Sequence, residues 1–228
     1  METIVRPMTK TDSRIKADVL SEIAWDPYLK EVSATVSVSS GVVTVSGQAP
    51  SLAAHLAIVN ACHRVQGVLD VVDEMTVAPS AAAIRTDDEL ARAVREALRW
   101  DAYLPDERIA TTVSGGVVTL QGAVPSWAHR SDAERAIQRL VGVRGVVNRI
   151  TVACAQADPV AIKLQIERAL ERRAERTARR ITISVRDGVV TLTGPVASWI
   201  ERQAIERIAG SSPGVRSVED RMTIEPSL

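Results

Sequence analysis

One heptapeptide recurs three times in register. Gly41-Val42-Val43-Thr44-Val45-Ser46-Gly47 returns as Gly116-Val117-Val118-Thr119-Leu120-Gln121-Gly122 and again as Gly188-Val189-Val190-Thr191-Leu192-Thr193-Gly194, at offsets of 75 and 72 residues. The same offsets, without gaps, carry Gly67-Val68 onto Gly142-Val143 and Gly214-Val215, and Met75-Thr76-Val77 onto Ile150-Thr151-Val152 and Met222-Thr223-Ile224. Agreement at both ends of the unit defines three tandem modules, over 10–78, 85–153 and 157–225, joined by short stretches of small residues. A unit of this size buries only about 60% of the surface its unfolded chain exposes. Neighbouring modules are therefore expected to touch and supplement one another's cores.

Within each unit the hydrophobic period changes. Ile15, Val19 and Ile23, then Leu90, Val94 and Leu98, then Ile162, Ile166 and Leu170 recur every four positions and mark one helical face. Asp12, Asp87 and Asp158 stand at or near the starts of these runs, where a carboxylate is expected to cap free backbone N–H groups. Alternation follows, at Ala34, Val36 and Val38 and at Ile181, Ile183 and Val185, with Thr111 interrupting the pattern in the second unit. A turn at Ser40-Gly41, Gly115-Gly116 or Asp187-Gly188 then leads into the Val-Val-Thr strand, making a β-hairpin. Ser51, Ser126 and Ser198 precede a second helix, and a last strand follows.

Each unit is thus α-β-β-α-β, and the fold class is α+β: three modules, each a three-stranded mixed sheet with two helices packed on one face. The pattern leaves strand order open. The chain has no Phe, so its cores are built from Val, Ile, Leu and Ala. Asp73, Asn148 and Asp220 share the core-facing parity of Met75, Ile150 and Met222. A polar group there must be hydrogen-bonded, which predicts a structural link to a bulge or to neighbouring backbone.

The leading amphipathic helix, the Gly-Val-Val-Thr-Leu-x-Gly strand, the Ser-Trp helix start and the closing strand with Asn or Asp before Ile/Met-Thr resemble the BON domain, the family of bacterial osmotically inducible and nodulation proteins. The likeness spans all three units. It implies a module that binds phospholipid membranes or other macromolecular partners, often in the periplasm, and that is not a catalyst.

The residues themselves exclude several classes. Glycine here leads through a turn into a strand, whereas a phosphate loop runs from a strand through glycines into a helix N-terminus. Cys62 and Cys154 occupy unrelated positions, and His55, His63 and His129 lack ligand spacing, so neither a metal nor any other cofactor is expected. Zero formal charge argues against a nucleic-acid partner. There is no apolar run long enough to span a bilayer and no leader-like N-terminus, so a cytoplasmic location is expected.

Net charges of −3, +1 and +2 along the three units reveal a gradient toward the basic third. Arg168, Arg172, Arg173, Arg176, Arg179 and Arg180 cluster there, interleaved with Glu167, Glu171 and Glu175. They suit either a solvated helix end or a surface for anionic headgroups or phosphate. Trp25 and Trp100 match after the first helix, and Trp127 and Trp199 match at the start of the second, with Arg172 and Leu52 in the remaining copies. Exposed, these indoles suit a membrane interface. Buried, they pack cores or contacts between modules, and packing is favoured because large aromatics usually close small cores.

Taken with these features, the resemblance implies a non-enzymatic binding protein that associates with phospholipid membranes or anionic surfaces, in an osmotic or envelope stress setting that the resemblance alone suggests. The alternative is a cytoplasmic protein–protein adaptor or scaffold without lipid binding. Repetition of a whole module fits multivalent binding, because linked weak sites gain avidity.

Overall fold

The computed structural model describes residues 10–29, 32–101, 104–153, 158–172 and 180–225. The first module runs α1 (Asp12–Trp25), β1 (Ser33–Ser39), β2 (Val42–Ala49), α2 (Leu52–Arg64) and β3 (Asp70–Val77). The second repeats this as α3 (Asp87–Trp100), β4 (Ile109–Ser114), β5 (Val117–Val124), α4 (Trp127–Gln138) and β6 (Gly145–Val152). The third runs α5 (Pro159–Arg172), β7 (Thr182–Arg186), β8 (Val189–Val196), α6 (Trp199–Gly210) and β9 (Ser217–Ile224).

Each sheet keeps its strands in chain order, with the hairpin strand in the middle. The first pair is antiparallel and the second parallel, because the intervening helix carries the chain back across the sheet. Alternate residues of each strand point to the helices. In the first module Val36, Val43, Val45 and Met75 meet Ile15, Val19 and Ile23 of α1 and Ile58 and Ala61 of α2. Each fully buried Val, Leu or Ile contributes about 1.5–3 kcal/mol, so the helical stripe read from the sequence is what fastens α1, α3 and α5 to their sheets. Thr111 keeps the inward parity of its strand and is only half-buried, so the interruption is tolerated.

The hairpin loops have two residues, both with positive φ: 52° and 78° at Ser40-Gly41, 58° and 80° at Gly115-Gly116, and 51° and 78° at Asp187-Gly188. This is the type I′ geometry that matches strand twist. Asp12 and Asp87 do not cap their helices. Their carboxylates accept from the turn, Asp12 from the Ser40 and Gly41 N–H groups (2.8 and 2.9 Å) and Asp87 from those of Gly115 and Gly116 (2.9 and 3.0 Å). The caps are Thr11 and Thr86, whose hydroxyls accept from Arg14 and Glu89, with Glu89 reaching back to Thr86 in a capping box. In the third module Pro159 stands where the turn-binding aspartate would be, and Asp158 takes the capping role, accepting from Val160 N–H at 3.0 Å. Ser51, Ser126 and Ser198 cap α2, α4 and α6 as expected.

The polar residues on the closing strands tie them to the second helices. Oδ1 of Asp73, Asn148 and Asp220 accepts from the N–H two residues on, at 3.0, 3.1 and 2.9 Å. The rest of each group turns to the helix: Asp73 to His55 at 2.7 Å, Asn148 to the Arg130 carbonyl at 2.9 Å, and Asp220 to Arg202 at 2.5 Å.

The closing glycine of the heptapeptide has a steric role. Gly122 has φ +141°, and a Cβ there would lie 2.0 Å from the carbonyl oxygen of Arg108, just ahead of the neighbouring strand; Gly47 and Gly194 are placed alike. Strain and clash coincide, so Gly122→Ala is expected to lower unfolding free energy by about 3 kcal/mol. Urea denaturation measures this, and a loss under about 0.5 kcal/mol would contradict the role.

Candidate functional site

The second helices bring the modules together. Their first-turn residues, Leu52, Trp127 and Trp199, are equivalent by repeat, and each reaches into another module. Leu52 is buried in the core of the second module. Trp127 lies against Gly210 in the third, so close that a Cβ on Gly210 would come within 2.3 Å of its ring. Trp199 stacks on His63 of the first, with ring centroids 3.8 Å apart and planes 9° from parallel.

First touches second, second touches third and third touches first, so the chain closes into a ring. His63 and Gly210 occupy the same repeat position, with Gln138 between them in the series. Where the three second helices meet, a recess of about 830 Å³ is lined by Asn60, Arg64, Arg135, Gln203, Glu206 and Arg207 among others. Burial and the neighbouring Asp220 raise the Glu206 carboxyl above its ordinary range.

The two tryptophan pairs therefore differ. Trp127 and Trp199 pack between modules, as favoured from sequence. Trp25 and Trp100 do not pack: they are 87% and 82% exposed. The reason is helical phase. Each lies two residues, about 200°, beyond the last core-facing residue, Ile23 or Leu98, and so projects from the opposite side. Arg172 holds the same position after Leu170. Trp25, Trp100 and Arg172 therefore hold one repeat position, exposed in all three modules.

Of the predicted arginines, Arg168 and Arg172 lie on α5, and Arg180 precedes β7 and pairs with Glu225 at 3.3 Å on the surface. Arg173, Arg176 and Arg179 lie outside the described residues. Arg168 and Arg172 converge with Arg207 of α6 around a recess of about 640 Å³, beside Ser211 and Ser212. All three arginines are exposed, and none forms an ion pair with a carboxylate among the described residues. Arg207 was missed from sequence, since no motif marks a residue that converges with another helix.

The other modules provide an internal comparison. At the equivalent place in the first, Glu22 and Arg64 form an ion pair at 2.7 Å; in the third, Ala169 and Ser211 replace them. The second module has Ala97 and Arg139 at these two places, so the Glu22–Arg64 pair belongs to the first module and the fold does not require it.

Neither remaining thiol nor metal chemistry is prominent. Burial pushes the Cys62 thiol up to about 11, and Cys154 lies outside the described residues. Among the described residues no group of His, Cys, Asp and Glu is placed to hold a metal, and no helix is long and apolar enough to cross a membrane.

The seams make a sign-dependent prediction. Gly210 is helical, so alanine there should favour the helix by about 1 kcal/mol, yet its Cβ would displace Trp127. Gly210→Ala is expected to destabilise the wild type but to stabilise a Trp127→Ala chain, a double-mutant cycle readable by thermal or urea unfolding. The same sign in both backgrounds would contradict the seam.

The family described as BON domain matches three stretches, residues 11–79, 86–154 and 158–226. Osmotically-inducible protein Y of Escherichia coli (strain K12) is 28% identical over 141 residues, 60% of this chain and 70% of that protein. Among solved structures, CdsD, a structural protein of the type III secretion system of Chlamydia trachomatis, is 11% identical with a TM-score of 0.28, covering 94% of this chain and 93% of its own. The PrgH periplasmic domain is 14% identical with a TM-score of 0.22, covering 92% and 99%.

Proposed function

This chain belongs to the BON domain family along three consecutive stretches, and from that premise we propose that it is a non-enzymatic binding protein whose ring associates with anionic phospholipid surfaces. The observation that carries the reading is the exposure of Trp25, Trp100 and Arg172, which hold one repeat position in the three modules. Two indoles left almost wholly in water are costly to hydrate, and they suit the boundary between headgroups and acyl chains, where an apolar ring and a single N–H donor are both accommodated. Arg172 stands with Arg168 and Arg207, three uncompensated cations suited to lipid phosphate. Three modules held in one ring make their contacts together, so weak individual contacts add as avidity. The osmotic setting is carried over from the relative's name and is part of the same proposal.

Liposome flotation tests it. The intact chain is expected to float with anionic vesicles at low salt, to lose that binding at high salt, and to leave zwitterionic vesicles unbound. Replacing Trp25 and Trp100 with Ala, or Arg168, Arg172 and Arg207 with Gln, is expected to weaken binding at least tenfold, each basic contact contributing about 1 kcal/mol near an anionic surface. Absence of binding in every condition would contradict the lipid reading and turn the exposed indoles toward a protein partner, as an adaptor requires.

A further inference from the structure

The three seams occupy equivalent positions but differ in chemistry. Leu52 enters an apolar core, Trp127 packs on a glycine, and Trp199 stacks on a titratable ring. That group, His63, is 8% exposed, and neither its Nδ1 nor the Trp199 Nε1 has a hydrogen-bond partner among the described residues. We propose that the Trp199–His63 stack is an acid-sensitive latch: protonation of His63 releases the third module from the first and opens the ring, while the modules themselves stay folded.

The charges around His63 decide the direction. From α6, the Arg202 guanidinium lies 4.8 Å from the centre of the same indole, anchored by Asp220 of β9. Beside His63 on α2 stands Arg64, tied to Glu22 of α1. Asp70, at the start of β3, favours the protonated ring. Glu206 of α6 is half-buried with a carboxyl reluctant to ionise. An imidazolium would gain from lying on an indole face. It would also lose its hydration inside the seam, next to an indole that already carries a guanidinium, and without a hydrogen-bonded carboxylate. Burial dominates and pushes the closed-ring imidazole down to about 4.

The sign follows from linkage. An open seam returns His63 to water and to an ordinary value of about 6.5. Above that pH both forms are neutral at His63 and the latch has its full strength. As pH falls from 6.5 toward 4, the open form binds a proton that the closed form refuses, and opening is favoured by about twentyfold between pH 7 and pH 5. Below the closed-ring value the effect saturates. The latch rests on the seam alone and does not depend on lipid binding.

Two measurements on the full chain test it. NMR titration of the three histidines is expected to place His63 near 4 in the wild type and to move it up by more than one unit in Trp199→Ala, with circular dichroism confirming that the modules remain folded. An ordinary value in the wild type, or an unchanged low value in the folded variant, overturns the latch, because burial within the first module would then be the whole cause. In hydrogen–deuterium exchange followed by NMR and corrected for intrinsic rates, protection of the Trp199 indole N–H, which is buried at the seam, should fall about twentyfold from pH 7 to pH 5 in the wild type and stay level in His63→Gln, which installs the residue found at the equivalent position 138. Level protection in the wild type, or an equal fall in both chains, overturns it. If Trp199→Ala fails to fold, the exchange comparison decides.

Discussion

A module with no Phe and a single layer of helices on a three-stranded sheet has little apolar surface to hide, and the ring depends on how the three modules make up that shortfall together. Each second helix opens with a large apolar residue that its own module does not bury. Leu52, Trp127 and Trp199 are inserted into the next module round. The receiving surface is adapted in each case: an apolar core for leucine, a glycine for one indole and a flat imidazole for the other. Gly210 is the plainest example, since only the absence of a side chain allows Trp127 to sit there. Closure is therefore written residue by residue into otherwise similar repeats, and the helix faces that line the axial recess are positioned by it.

The repeat also makes the exposed residues comparable. Trp25, Trp100 and Arg172 hold one position after the first helix of each module and fall off its core-facing stripe in every copy. Modules one and two carry indoles at that position, and the third carries an arginine that converges with Arg168 and Arg207. Surface chemistry thus diverged where the fold leaves freedom, whereas the turn glycines, the helix caps and the strand-to-helix polar links kept their positions. Membership of the BON domain family accounts for the shared framework. The differences among the copies carry the proposed function.

Local features were legible in the sequence because local physics sets them. The Ser caps, the positive-φ hairpin turns and the four-residue helical stripes each depend on a few consecutive residues, and the polar position on the closing strand was recognisable from parity alone. Helix phase would also have placed Trp25 and Trp100 outside, since they fall off the stripe of Ile23 and Leu98; the expectation that large aromatics close small cores obscured that signal. Contacts between distant segments were not legible. Asp12 and Asp87 looked like caps, although their partners are turn amides 28 and 29 residues away. Arg207, His63 and Gly210 looked like ordinary helical residues, because their significance comes from modules that no spacing rule connects.

The central claim is that the three modules form one closed body and not a flexible string. Small-angle X-ray scattering at neutral pH measures this directly. A closed ring of this length has an expected radius of gyration of about 17–19 Å, close to that of a compact domain of the same size. A value of about 25 Å or more, with the broad profile of linked beads, would contradict the closure, and with it the latch.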